Sequence, residues 1–379
     1  MMEVFMGKFY SKFVGFIIAM GLLIAGCSKE VEVAETKEIC HTEEECTRIG
    51  DRMVEKVYKK MESLSQLEEP TDYVKESKEI EKKDVQLDSM RGTEKKQDDE
   101  NYFFLASYYI DEEEIIDPYF EKLDKKRFNK AFADDQEAKN EIMEQHEDSD
   151  YHEMLWDMYR TLIPSKYRKN IVEFDIVTDG YEGIVAHVAP SMDDPKDWVL
   201  SLDTLDSGVN IDEVMKTLIH ETAHVLTLND RQIPVNEKYI KSFEEGKDIS
   251  SYQNKCKTLF LQEGCVKKGS YIHTFYDSFW KPIEREWKEK QIETNEEARI
   301  TFFEEKHDQF VSEYGTTNVA EDIADTFTAF ILQDSKKVKE GTELKYQKIA
   351  FFYQFPELVK MRAEVLSGLY EISKGVKEA

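Results

Sequence analysis

Residues 218–226 read Leu-Ile-His-Glu-Thr-Ala-His-Val-Leu. Two histidines, His220 and His224, stand four positions apart, with Glu221 beside the first. Side chains advance by about 100° per residue on an α-helix, so these two imidazoles fall about 40° apart and one turn along, within reach of one cation. Zinc suits such a pair; it needs a third protein ligand and leaves one position for water. Glu221 projects to the side of the pair, where it can touch that water without becoming a ligand, the place of a general base.

The surrounding residues give the pair its own face. Asn210 can cap a helix running to about Leu228, with Glu213 returning the bond. On that helix Ile211, Val214, Met215, Leu218, Thr222, Val225 and Leu226 share one broad arc, and His220 and His224 lie opposite it. Before it come three short Val- and Ile-rich stretches, NIVEFDIVTD, GIVAHVAP and DWVLSLDT, which read as strands. The last of them is expected to form the sheet edge, where an extended peptide can pair through its backbone. Upstream, NYFFLASYYI and IIDPYF flank an acidic turn and read as a hairpin, and DYHEMLWDMYRTLIP reads as a helix ending at Pro164. Beyond residue 230 the pattern is helices and loops, including an aromatic stretch SYIHTFYDSFW read as core or cleft wall, and two closing helices, the second starting at Pro356.

A third ligand must come from elsewhere. His273 and His307 lie in stretches with no evident reason to converge on the pair. In EYGTTNVAEDIADTFTAFI, residues 313–331, Asn318 can cap a second helix that carries Glu321 and, one turn on, Asp325. Ala320 and Ala324 are small enough to let this helix approach the first. Spacing alone leaves Glu321 either as a ligand or as the capping-box partner of Asn318, with Asp325 a rival ligand on a shorter arm.

A histidine pair of this kind followed by a glutamate on a later helix resembles the gluzincin zinc peptidases. Tyr314 to Glu321, YGTTNVAE, is similar to the lethal-factor and Pro-Pro-endopeptidase branch, where a tyrosine lies seven residues before the ligand glutamate. VEFDIVTDG, DPKDWVLSLD, TLIHETAHVLTLND, GSYIHTFYDSFW and TNVAEDIAD also resemble zinc-metallopeptidase lipoproteins of Gram-positive bacteria, over roughly residues 100–379. That family often has Glu where this chain has Asp325. The resemblance implies Glu321 as third zinc ligand, Tyr314 as a stabiliser of the oxyanion, and an α+β, zincin-like fold: a small twisted sheet plus the active-site helix, then a mostly helical lobe.

The N-terminus bears on where this chemistry takes place. Lys8 and Lys12 precede the apolar run FVGFIIAMGLLIAG, too short for a comfortable membrane span and suited to a signal peptide. Leu23-Ile24-Ala25-Gly26-Cys27-Ser28 resembles a bacterial lipobox, which implies lipidation at Cys27; an uncleaved anchor or an ordinary signal peptide are the alternatives. The remaining cysteines, Cys40, Cys46, Cys256 and Cys265, allow three pairings, of which the local one, Cys40–Cys46 and Cys256–Cys265, is expected. A net charge of −28 argues against nucleic acid and against broad adhesion to anionic lipid.

The organisation expected is a signal peptide (1–27), an acidic tether with a short helical segment (28–100), and a metallopeptidase domain (101–379) with lobes of about 101–229 and 230–379. The expected function is a lipid-anchored, extracytoplasmic zinc metallopeptidase acting on peptides or proteins. The alternative is a surface lipoprotein that binds without turnover on the same scaffold.

Overall fold

The computed structural model describes residues 39–61, 64, 102–181 and 183–375. The apolar N-terminal run, Cys27 and the polar stretches 28–38 and 65–100 lie outside them. Among the described residues no helix is long and apolar enough to cross a membrane. Both expected disulfides are present, Cys40–Cys46 and Cys256–Cys265, with Cα–Cα distances of 5.2 and 5.5 Å.

Helix α1 (Glu43–Tyr58) opens the described chain, capped by Thr42. The sequence sets it apart from the main domain, yet it packs along the last helix of the chain. Asp51 accepts from Arg362 Nη2 at 3.0 Å, Ser335 N at 3.0 Å and Ser335 Oγ at 2.6 Å. Tyr58 donates to the Leu332 carbonyl. Gly50 permits the approach: a Cβ there would stand 2.4 Å from Arg362 Nη1. The reason is chemical, since an Arg buried in the far lobe is neutralised from this helix.

A five-stranded mixed sheet follows: β1 (Phe103–Asp111), β2 (Glu114–Phe120), β3 (Ile171–Thr178), β4 (Ala186–Pro190) and β5 (Trp198–Asp203), in the order β2-β1-β3-β5-β4. Only β3 and β5 run parallel. The β1–β2 hairpin is present as expected, with the two-residue loop Glu112–Glu113 at positive φ, 43° and 84°. Trp156 Nε1 donates to the Glu113 carbonyl at 2.8 Å and Arg168 pairs with the Glu113 carboxylate, which pins that turn. The edge assignment is overturned. Strand β5 lies between β3 and β4, with Leu200, Ser201 and Leu202 all buried. The edge beside the motif helix is β4, which ends at Pro190, where a missing N–H breaks no ladder.

One face of the sheet carries Phe174, Leu200 and Leu202 against helix α2 (Ser149–Leu162), whose Trp156 ring lies 5.4 Å from Phe174, and against helix α3 (Ile211–Leu228). Across the other face Ser107, Asp175, Ser201 and His187 stand in register on adjacent strands. Beyond α3 the chain is largely helical, with one departure from expectation, a two-residue ladder of Phe260–Leu261 with Gly264–Cys265. The aromatic stretch forms a short α-helix, Tyr271–Phe275, running into a π-turn, Tyr276–Trp280, with Ile272, Phe275 and Trp280 buried as core. Helices α4 (Val319–Leu332), α5 (Leu344–Phe351) and α6 (Pro356–Gly375) complete the molecule. The architecture is α+β.

Candidate metal centre

The centre is built where α3 and α4 pack against one another. Helix α3 starts as expected: Asn210 Oδ1 accepts from Asp212 N and Glu213 N. Its apolar arc enters the core between sheet and helices, with Val214, Met215 and Leu218 fully buried, which turns His220 and His224 toward α4. Helix α4 is capped by Asn318, whose Oδ1 accepts from Ala320 N at 2.9 Å and Glu321 N at 3.1 Å. The Glu321 backbone therefore serves the cap while its side chain leaves the helix start and reaches the histidines. Ala324 is fully buried on this helix, with the small Ala320 one turn earlier.

His220 Nε2 lies 3.0 Å from His224 Nε2 and 3.1 Å from Glu321 Oε2, and His224 Nε2 lies 3.2 Å from Glu321 Oε2. Two ligand atoms about 2.0 Å from one tetrahedral ion stand about 3.3 Å apart, close to each side of this triangle. The donor set also fits. His220 Nδ1 lies 2.7 Å from Asp325 Oδ1, so Nδ1 carries a proton and Nε2 is the ring nitrogen that faces the triangle. Three carboxylates, Glu221, Glu321 and Asp325, surround two imidazoles in a buried place, a surplus of negative charge that a divalent cation neutralises. Burial alone would lower the His220 pKa; the hydrogen bonds to Asp325 and Glu321 outweigh it and raise the ring well above the usual histidine value. Burial opposes ionisation of Glu321, and the two imidazoles overcome that and hold its carboxyl far down. His224 Nδ1 has no hydrogen-bond partner among the described residues, so only one of the two rings is oriented by a neighbour.

Glu221 does not enter the triangle. Its Oε2 accepts from Val188 N on β4 at 2.9 Å. Burial pushes its carboxyl up, and the nearby imidazoles only partly counter this. Tyr314 lies in a short 3₁₀ turn, Tyr314–Thr316, with its ring 5.9 Å from that of His220. Burial first, and then the charge of Glu321, raise the phenol well above its ordinary value, so it remains a hydrogen-bond donor.

All five residues that the sequence assigns to the site therefore meet: His220, Glu221, His224, Tyr314 and Glu321. His273 and His307 do not join them; the first contacts Asp277 and the second the Glu304 carbonyl. Asp325, read as a rival ligand, instead orients His220. Its i+4 spacing from Glu321 was the available signal, since it places the shorter arm one turn further from the pair. A second group among the described residues, Asp179, Asp203 and Asp206, has no imidazole. Asp203 there is spent on backbone N–H groups of Asp179, Leu205 and Asp206 and shapes a loop. No family model, curated protein or solved structure matches this chain.

Proposed function

We propose that the protein is a lipid-anchored, extracytoplasmic zinc metallopeptidase of gluzincin type, with a zincin-like fold and with Cys27 as the lipidated residue. The observation that carries the reading is the triangle of His220, His224 and Glu321, flanked by a buried carboxylate and a protonated phenol that are not part of it. A bound zinc ion supplies Lewis acidity, acidifying a water and polarising a carbonyl. Glu221, with its carboxyl raised by burial, takes the proton of the attacking water and delivers it to the departing amine. The Val188 N–H fixes one of its oxygens and leaves the other for that proton. Tyr314 donates to the oxygen on which charge develops. Strand β4 pairs only with β5 among the described residues; on its outer edge Val188 N–H is held by Glu221 and Pro190 has none, so an extended peptide there would pair mainly by donating to the β4 carbonyls.

The purified protein is expected to hold one tightly bound zinc and to cleave members of a broad peptide library. Glu221→Gln should retain the metal and lose about 10²–10⁴-fold in kcat. Undiminished cleavage in that variant would remove the mechanism. Zinc bound with no peptide cleaved would identify a binding lipoprotein on the same centre.

A further inference from the structure

The turn that carries Tyr314 and the carboxylate that orients His220 are joined through one side chain, Ser312. Its hydroxyl donates to Asp325 Oδ2, while Asp325 Oδ1 accepts from His220 Nδ1 at 2.7 Å. The same Ser312 oxygen accepts from Gly315 N at 3.0 Å, one residue beyond Tyr314. Every donor in the chain has a fixed direction: Gly315 N–H to Ser312, Ser312 O–H to Asp325, His220 Nδ1–H to Asp325. A hydroxyl has one proton to give, so no step can be reversed without breaking another. Ser312 is buried.

The turn lies flat on α4. A Cβ added at Gly315 would stand 3.4 Å from Asp325 Oδ2 and 3.5 Å from both Asp322 Cα and Ser312 Oγ. Its outer side is held by Arg299 on Glu313, at 2.5 Å, and by Trp287 Nε1 on the Thr316 carbonyl, at 2.9 Å. Those bonds tie the turn to the helical lobe but not to the metal centre. The Asp325–Ser312–Gly315 chain links the turn to the His220 side of the centre, beside the bond of the Tyr314 phenol to Glu321.

We propose that Ser312 is a positioning residue that couples the orientation of the metal-ligand imidazole of His220 to the placement of Tyr314. The proposal rests on the zinc-centre reading above. Coupling is reciprocal, so zinc binding must steady the turn just as the turn steadies the ligand.

The test uses the full chain and two readouts that need no substrate: zinc affinity by chelator competition, and hydrogen exchange of peptides covering residues 311–318 with and without zinc. In the natural protein zinc should slow exchange in that stretch. Ser312→Ala should weaken zinc binding about tenfold and abolish the zinc-dependent slowing, while Asp325→Ala weakens zinc by about 10–100-fold. Ser312→Thr, which keeps the hydroxyl, should restore both. Circular dichroism of each variant separates these effects from misfolding, and where Ser312→Ala does not fold, loss of the zinc-dependent slowing in Asp325→Ala carries the test, its persistence there overturning the coupling. Zinc affinity and exchange unchanged in Ser312→Ala would overturn the coupling and leave the zinc centre standing. A natural protein that binds no zinc would overturn the centre itself, and the coupling with it.

Discussion

At the scale of single residues, the centre separates groups that hold from groups that act. Tyr314 sits beside the ligand triangle with its phenol kept protonated by burial and by Glu321. Its donated bond is worth most when the carbonyl oxygen becomes an anion, so removal should appear in kcat. Tyr314→Phe is expected to lower kcat by about 10²-fold, with KM and zinc affinity nearly unchanged. Equal losses in kcat and zinc affinity in a calorimetric and steady-state comparison would make Tyr314 a structural part of the ligand shell. The histidine pair and Glu221 were legible because helical geometry fixes neighbours four apart without reference to the rest of the chain. Glu321 was legible only as one of two alternatives, ligand or cap, and in the fold its backbone serves the cap while its side chain reaches the histidines. The duty of Asp325 was legible only as a place one turn beyond Glu321, because the bond itself depends on a ring nitrogen 105 positions away in sequence.

At the scale of elements, local signals placed helices and strands but not their neighbours. Asn210 and Asn318 announced both site helices, and β1 with β2 announced a hairpin, since capping and turn chemistry are local. The order of strands is set by long-range pairing, and a strand such as DWVLSLDT reads alike at an edge or in the middle. What distinguishes β5 is a partner strand on each side, β3 and β4, which only the packed sheet reveals. The hairpin turn carries a strain that the sequence also conceals. A two-residue loop of this kind requires positive φ at both positions and favours Asn and Gly, whereas Glu112 adopts φ 43° with its side chain exposed. Glu112→Asn should therefore stabilise the protein by about 0.5–1 kcal/mol, because Asn tolerates the left-handed region. A urea midpoint that falls in this variant would show that the glutamate side chain outweighs the backbone term.

At the scale of the whole molecule, acidity governs stability through two separable contributions. The formal net charge of −28, most of it on the surface, repels itself at neutral pH. Inside, Asp175 is only 4% exposed, and burial first, with the charge of Glu173 adding, pushes its carboxyl up to about 7, against the lowering bond from Ser107. Its Oδ1 has no hydrogen-bond partner among the described residues. Asp206 is likewise raised to about 7 by burial and Asp179. An acid whose pKa rises on folding holds its proton more tightly in the native state, so unfolding releases protons and stability falls as pH climbs from about 4 to about 7. Above that range the loss is complete; below it the group has no effect. Asp175→Asn keeps the shape and removes the charge, so its advantage over the natural protein should open between pH 4 and 7 and then hold level. A carboxyl moved from 3.8 to about 7 sets a ceiling of about 4 kcal/mol on that gap. Salt distinguishes the two contributions: at 1 M the screening length shrinks to about 3 Å, which quiets the surface and leaves a buried group almost untouched. Urea unfolding of both proteins from pH 4 to 8, at low and high salt, should show a gap that follows pH and ignores salt. Parallel stability curves at every pH would mean that Asp175 is ionised in the folded protein and that the surface alone sets the acid dependence.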